Sequence, residues 1–176
     1  MPLLLPEDYN TLIPPLYKVR QVFGREILPD IPAAIQKEFQ RKEISGKIKP
    51  GMRAAVAVGS RGIRNLPLIV KTILEELKKL GAEPYIVSAM GSHGGGTEEG
   101  QREVLYGYGI TEEAMGVPIV TTTEVVCLGA ISGGRKVYFD KSAMEADVII
   151  PVNRVKLHTD FVSDIQSGLC KMLVIG

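Results

Sequence analysis

The sequence predicts an α/β fold: a Rossmann-like, mostly parallel sheet with flanking helices and an added β-hairpin. Three observations carry that prediction. Short apolar runs recur, including Arg53-Ala54-Ala55-Val56-Ala57-Val58 and Asp147-Val148-Ile149-Ile150-Pro151-Val152, as expected of strands covered on both faces. Helical apolar periodicity occupies the segments between the early runs. Several runs end in glycine-rich or polar loops, the sites of function in sheets of this kind.

Taken in order, residues 1–32 are rich in proline and show no sustained period, so they read as extended segments with one strand near residues 18–23. Ile31, Ala34, Ile35 and Phe39 recur at helical spacing, which predicts a helix over residues 31–44. Lys49-Pro50-Gly51 is a turn signal. After the strand at residues 53–58, Ile69, Ile73, Leu74, Leu77 and Leu80 form one stripe opposite Glu75, Glu76, Lys78 and Lys79, with Gly81 as the expected stop. Residues 84–89 read as the second strand, and Gly91-Ser92-His93-Gly94-Gly95-Gly96 as a loop. Thr97 is the expected N-cap of a helix reaching about Gly107, with Glu98 and Glu99 favourable in its first turn. A third strand at residues 117–121 precedes a hairpin whose arms, residues 125–131 and 135–139, flank Ser132-Gly133-Gly134. A helical turn at residues 141–145 leads to the buried strand at residues 147–152. Alternating strands and helices imply βαβ crossovers.

The chain's 176 residues suit one well-buried core better than two full domains. Residues 1–50 are expected to be an extension packed on an α/β domain spanning residues 51–176. A formal net charge of +1 gives no reason to expect nucleic acid or an anionic membrane. No run approaches the ~20 apolar residues of a membrane helix, and the amino terminus lacks a basic segment, so a cytoplasmic protein is expected. The two cysteines, Cys127 and Cys170, form no C-x-x-C pair and read as small core hydrophobes. A disulfide framework or an all-cysteine metal site is not expected. The final apolar run, Met172-Leu173-Val174-Ile175-Gly176, reads either as a cut within a larger architecture or as a last strand.

Three loops beyond strand ends concentrate the reactive side chains: Gly59-Ser60-Arg61-Gly62-Ile63-Arg64, the loop of residues 91–96, and Asn153-Arg154-Val155-Lys156-Leu157-His158-Thr159-Asp160. Both histidines of the chain lie in them. The glycine loop matches neither a P-loop nor a clean G-x-G-x-x-G. Its glycines serve a tight turn or let backbone N–H groups approach an anion. Singly, His93 and His158 read as surface or structural histidines. Together at the ends of two parallel strands, they suit proton exchange near neutrality from opposite faces of one substrate. Arg61 is placed to clamp a carboxylate, while Arg64 reads as an ordinary surface charge. Lys171 reads either as a snorkelling lysine on a buried helix or as a partly desolvated nucleophile.

The segment from Ala89 to Glu99, Ala-Met-Gly-Ser-His-Gly-Gly-Gly-Thr-Glu-Glu, resembles the histidine loop of the nickel-pincer lactate racemase family. Val58-Gly59-Ser60-Arg61 resembles that family's D-x-[ST]-R loop. His158 followed by Ser167-Gly168-Leu169-Cys170-Lys171 resembles its P-H-(x)n-S-G-G-A-K segment. The resemblance implies that His93 and His158 are the acid/base pair and that Arg61, beside Ser60, binds the substrate carboxylate. It further implies that Lys171 is joined to a nickel pyridinium pincer nucleotide, with Gly91, Ser92 and Gly94 also facing that cofactor. The implied reaction is racemisation or epimerisation of a small 2-hydroxy acid, with the α-hydrogen leaving as hydride.

Departures from the family pattern accompany the resemblance. Val58 replaces the family's aspartate, Leu157 replaces the proline before the second histidine, and the gap from His158 to Lys171 is longer. The family's nickel-ligating histidine lies beyond the lysine, and no histidine follows Lys171 here. The chain therefore reads as an N-terminal domain whose C-terminal partner domain is missing, with no bound metal expected and a homo-oligomer possible. The segments Val152–His158 and Gly168–Lys171 also resemble an uncharacterised family found with iron–sulfur proteins. That rival resemblance implies a non-catalytic domain binding an anion or a partner.

Overall fold

A computed structural model describes residues 5, 12, 14–22, 24, 27–158, 160, 162–166 and 168–175. Its centre is a four-stranded parallel sheet formed by β1 (Arg53–Val58), β2 (Glu83–Ser88), β3 (Ile119–Val120) and β6 (Val148–Val152). The spatial order is β3-β2-β1-β6. A separate antiparallel hairpin joins β4 (Val125–Ala130) to β5 (Lys136–Asp140). The α/β class with an added hairpin is therefore the observed architecture.

Alternation along the strands supplies two cores. Ala54, Val56, Val58, Ile86 and Val152 pack with Leu66, Val70, Leu74 and Leu77 of α3 (Leu66–Lys79) and with Leu105 of α4 (Glu98–Gly107). Ala55, Ala57, Tyr85, Val87 and Ala89 form the second core with Ala143 of α6 (Lys141–Met144). Partly buried Phe139 of β5 and Met172 of α7 (Leu169–Ile175) complete this thinner cover. Burial pushes the Tyr85 phenol above its ordinary pKa, and its hydroxyl donates to the Ser142 carbonyl at 2.6 Å.

The helix signals act as expected. Thr97 Oγ1 accepts from the Gly100 N–H at 3.1 Å, capping α4. After α3, Gly81 adopts φ +82, while Gly81 and Ala82 donate to the carbonyls of Lys78 and Leu77. That is a Schellman stop. Two short helices complete the set, α2 (Lys42–Ser45) and α5 (Glu112–Met115). Arg102 of α4 ties α5 to β3, pairing with Glu112 at 2.5 Å and donating to the Ile119 carbonyl at 3.1 Å. The Tyr106 hydroxyl donates to the other Glu112 oxygen, and this bond leads the effects that lower the carboxyl's pKa.

Several expectations need correction. The helix predicted over residues 31–44 is two, α1 (Ile31–Phe39) and α2, separated by an extended Arg41. Ile44 lies five positions after Phe39 and falls off the stripe of Ile35 and Phe39, so a break is needed to bring all three against the core. Residues 18–22 are not in a strand, and Phe23 lies outside the described residues. Both cysteines are exposed. Cys127 pairs across the hairpin with exposed Tyr138, and Cys170 is exposed on α7. Residues 172–175 of the final apolar run are helical, not a last strand, while Gly176 lies outside the described residues, and α5 is a single four-residue turn that gave no periodic signal. No helix among the described residues is long and apolar enough to cross a membrane.

Candidate functional site

The chain direction reverses its lateral progress at β1: β2 and β3 extend to one side, and β6 lies on the other. Loops leaving β1 and β6 consequently diverge and open a crevice, the usual ligand position in such sheets. The register aligns the strand ends, with Val58 beside both Ser88 and Val152. Ser60 and Arg61 follow β1, residues 89–93 follow β2, and residues 153–158 follow β6. All of these loops emerge at one edge.

That edge holds a cleft of about 250 Å³. Ser60, Arg61, Gly91, Ser92, His93, His158 and Lys171 all line it, together with Asn153, Arg154, Lys156 and Met172. The two histidines, the arginine and the lysine singled out in the sequence are therefore neighbours around one space. Gly94 does not line the cleft. Its φ is +65, and a Cβ there would lie 2.5 Å from the Gly100 carbonyl carbon. Its glycine is needed for packing on the first turn of α4, a steric requirement independent of any ligand. Ser167 lies outside the described residues.

Local structure fixes each loop. Ser60 Oγ and His93 Nδ1 are hydrogen-bonded to one another. The Tyr108 hydroxyl donates to the Ser60 carbonyl at 2.5 Å. Buried Gln101 donates from Nε2 to the Gly91 carbonyl at 2.8 Å and accepts from Ser88 Oγ at 2.6 Å. Helix α4 and its cap thus brace the loops after both β1 and β2. On the β6 side, Asn153 Nδ2 donates to the Gly168 carbonyl at 3.0 Å, and the His158 N–H donates to Gln166 Oε1 at 3.0 Å. The Asp160 N–H donates to His158 Nδ1 at 3.1 Å. Gly59 lets α7 approach: a Cβ there would meet Met172 Cε at 3.1 Å. This contact brings the segment of Lys171 against the end of β1.

Charge distinguishes the cleft from the rest of the molecule. Arg61, Arg154, Lys156 and Lys171 line it, and no carboxylate does among the described residues. The chain as a whole is nearly balanced, at +1. The four cations favour an anionic ligand, and Arg61 can pair with both oxygens of a carboxylate. No group of three or more His, Cys, Asp or Glu side chains among the described residues could hold a metal ion.

Sequence reasoning missed Gln101, Tyr108 and Asn153, which hold the loops without being reactive themselves. A buried glutamine on an otherwise amphipathic helix gives no periodic signal. The placement of Arg154 and Lys156 in the cleft depends on the path of the β6 loop, which no spacing rule supplies.

No curated protein matches the chain. The family model described as the lactate racemase N-terminal domain matches residues 22–163, a span that includes Ser60, Arg61, His93 and His158 and stops before Lys171. With a match over most of its length and these residues gathered at one sheet edge, the chain belongs to the lactate racemase N-terminal domain family.

Proposed function

We propose that this chain is the acid/base and substrate-binding domain of a racemase or epimerase acting on small 2-hydroxy acids. The observation that carries the reading is the convergence of Arg61, His93, His158 and Lys171 on one cationic cleft. Arg61 binds the substrate carboxylate through its planar fork. His93 and His158, arriving from the β2 and β6 loops, exchange the hydroxyl proton on opposite faces of the α-carbon. Imidazole suits this work because it exchanges protons readily: the ring on one face takes the hydroxyl proton, and the protonated ring on the other face returns one.

The cleft suits an anionic cofactor attached to lysine, since it offers the Lys171 amine beside the cations of Arg61, Arg154 and Lys156. Lys171 would hold a nickel pyridinium pincer nucleotide, with Gly91 and Ser92 lining the space beside it. When bound, that group supplies a hydride acceptor and donor, which spares the α-carbon from becoming an unstable carbanion. The chain's own residues orient the acid and move its hydroxyl proton. The domain works with the rest of its parent protein in the cytoplasm.

The test uses the cofactor-loaded parent protein and a panel of 2-hydroxy acids. His93→Ala and His158→Ala each lower racemisation by roughly 10²–10⁴ while leaving the fold intact, because both rings sit on loops outside the core. Lys171→Ala removes the covalent mass adduct. Retention of adduct and activity after Lys171→Ala contradicts the reading, as does near-normal racemisation in both histidine variants.

A further inference from the structure

The two imidazoles in the cleft are held by different kinds of partner. His158 Nδ1 accepts a hydrogen bond from the Asp160 backbone N–H at 3.1 Å. A backbone amide can only donate, so in the neutral His158 ring the proton resides on Nε2. His93 Nδ1 is bonded to the Ser60 hydroxyl, which can donate or accept. If the hydroxyl donates, neutral His93 also carries its proton on Nε2 and has no bare nitrogen for a substrate. If the hydroxyl accepts from Nδ1–H, Nε2 is bare. The second arrangement also survives protonation of the ring, because Nδ1 remains a donor throughout.

We propose that Ser60 is a positioning residue that accepts from His93 Nδ1–H, so that His93 and His158 rest in opposite neutral tautomers. His93 then presents a bare Nε2 and His158 presents an Nε2–H. This inference rests on the acid/base reading of His93 given above. Ser60 reaches the substrate's chemistry through the His93 ring, in addition to lying beside Arg61. The frame behind the contact is firm on both sides: Tyr108 holds the Ser60 carbonyl, and Gln101 holds the Gly91 carbonyl two residues before His93. Both braces come from α4 and its cap. The arrangement also makes the two rings unequal before any substrate binds. To accept a hydroxyl proton on Nε2, His158 must first carry its own proton on Nδ1 and release the Asp160 N–H, whereas His93 accepts one with its partner in place.

The experiment is long-range ¹H–¹⁵N correlation of the imidazole nitrogens in the ¹⁵N-labelled chain, at a pH where both rings are neutral. With two histidines in the sequence, His158→Gln assigns both spin systems. The expected spectrum shows Nδ1–H for His93 and Nε2–H for His158. Ser60→Ala shifts His93 to a majority of Nε2–H and leaves His158 unchanged, while Ser60→Thr, which keeps the hydroxyl, retains the wild-type pattern. A wild-type spectrum with both rings in the same tautomer overturns the proposal. So does a His93 tautomer that is identical in wild type and Ser60→Ala. The readout needs no turnover, so a protein that fails to racemise any hydroxy acid leaves this result standing or falling by itself.

Discussion

The two ends of the parallel sheet handle charge in opposite ways. At the amino ends of the strands, the Arg53 N–H donates to Asp147 Oδ2 at 2.8 Å, and its guanidinium pairs with Glu145 at 3.2 Å. The same guanidinium lies 5.1 Å from the centroid of the Tyr85 ring. Charge there is matched, and it ties β1 to the segment entering β6. At the carboxyl ends, Arg61, Arg154, Lys156 and Lys171 gather around the cleft, and none makes an ion pair among the described residues. Cations left together without carboxylates repel one another, a cost that a bound anion relieves. One end of the sheet pairs its charges, and the other leaves its cations without an ion pair among the described residues.

Substitutions at the two ends should therefore separate cleanly. Among the charge substitutions, Arg61→Lys has the largest expected effect, a rise of roughly tenfold in the hydroxy-acid KM, because a point charge replaces a two-oxygen fork. Unfolding by urea should be unchanged in the same variant. Equal weakening of stability and binding would mean that Arg61 is structural. Arg53→Ala should show the reverse, a loss of about 1 kcal/mol or less in urea denaturation with KM unaltered, since its ion pair is solvent-exposed. A changed KM in that variant would break the division between the ends.

The smallest effect concerns acid stability at the paired cluster of Arg102, Tyr106 and Glu112. The Tyr106 hydroxyl bond leads the effects holding the Glu112 carboxyl below its ordinary value of 4.5. A carboxyl with a depressed folded pKa contributes stability that is fully present above the unfolded value. That contribution is lost as pH falls below 4.5 and through the folded pKa. Glu112→Gln should flatten the stability curve in this acid range, read as the urea midpoint against pH. A variant curve parallel to wild type would show that the cluster does not favour the ionised form.

Much of the fold was legible in the sequence because it follows local rules. The apolar run at residues 53–58 and the stripe of α3 are repeated patterns, and both elements appear nearly where those patterns place them. The cap at Thr97 and the stop at Gly81 follow from local hydrogen bonding. Placing His93 and His158 at strand ends needed only the strands and their parallel direction. What escaped depends on contacts between distant segments. The break at Arg41 is set by packing Ile44 on the core, and Cys127 is exposed beside Tyr138 across the hairpin. Gln101 and Tyr108 act across ten and forty-eight residues to reach Gly91 and Ser60. Gly94 packs against Gly100 on the first turn of α4, a close approach that no spacing rule signals.

On the proposed function, two histidines serve opposite faces of one hydroxy acid bound in this cleft. The most direct measurement is single-turnover formation of the 2-keto acid, trapped chemically, from each pure enantiomer by the cofactor-loaded parent protein. The wild type should form keto acid from both enantiomers. His93→Ala should retain the reaction with one enantiomer and His158→Ala with the other, each losing its opposite by roughly 10²–10⁴. If the two variants instead lose the same enantiomer, or if neither discriminates between enantiomers, the histidines do not divide the faces of the substrate and the account is wrong.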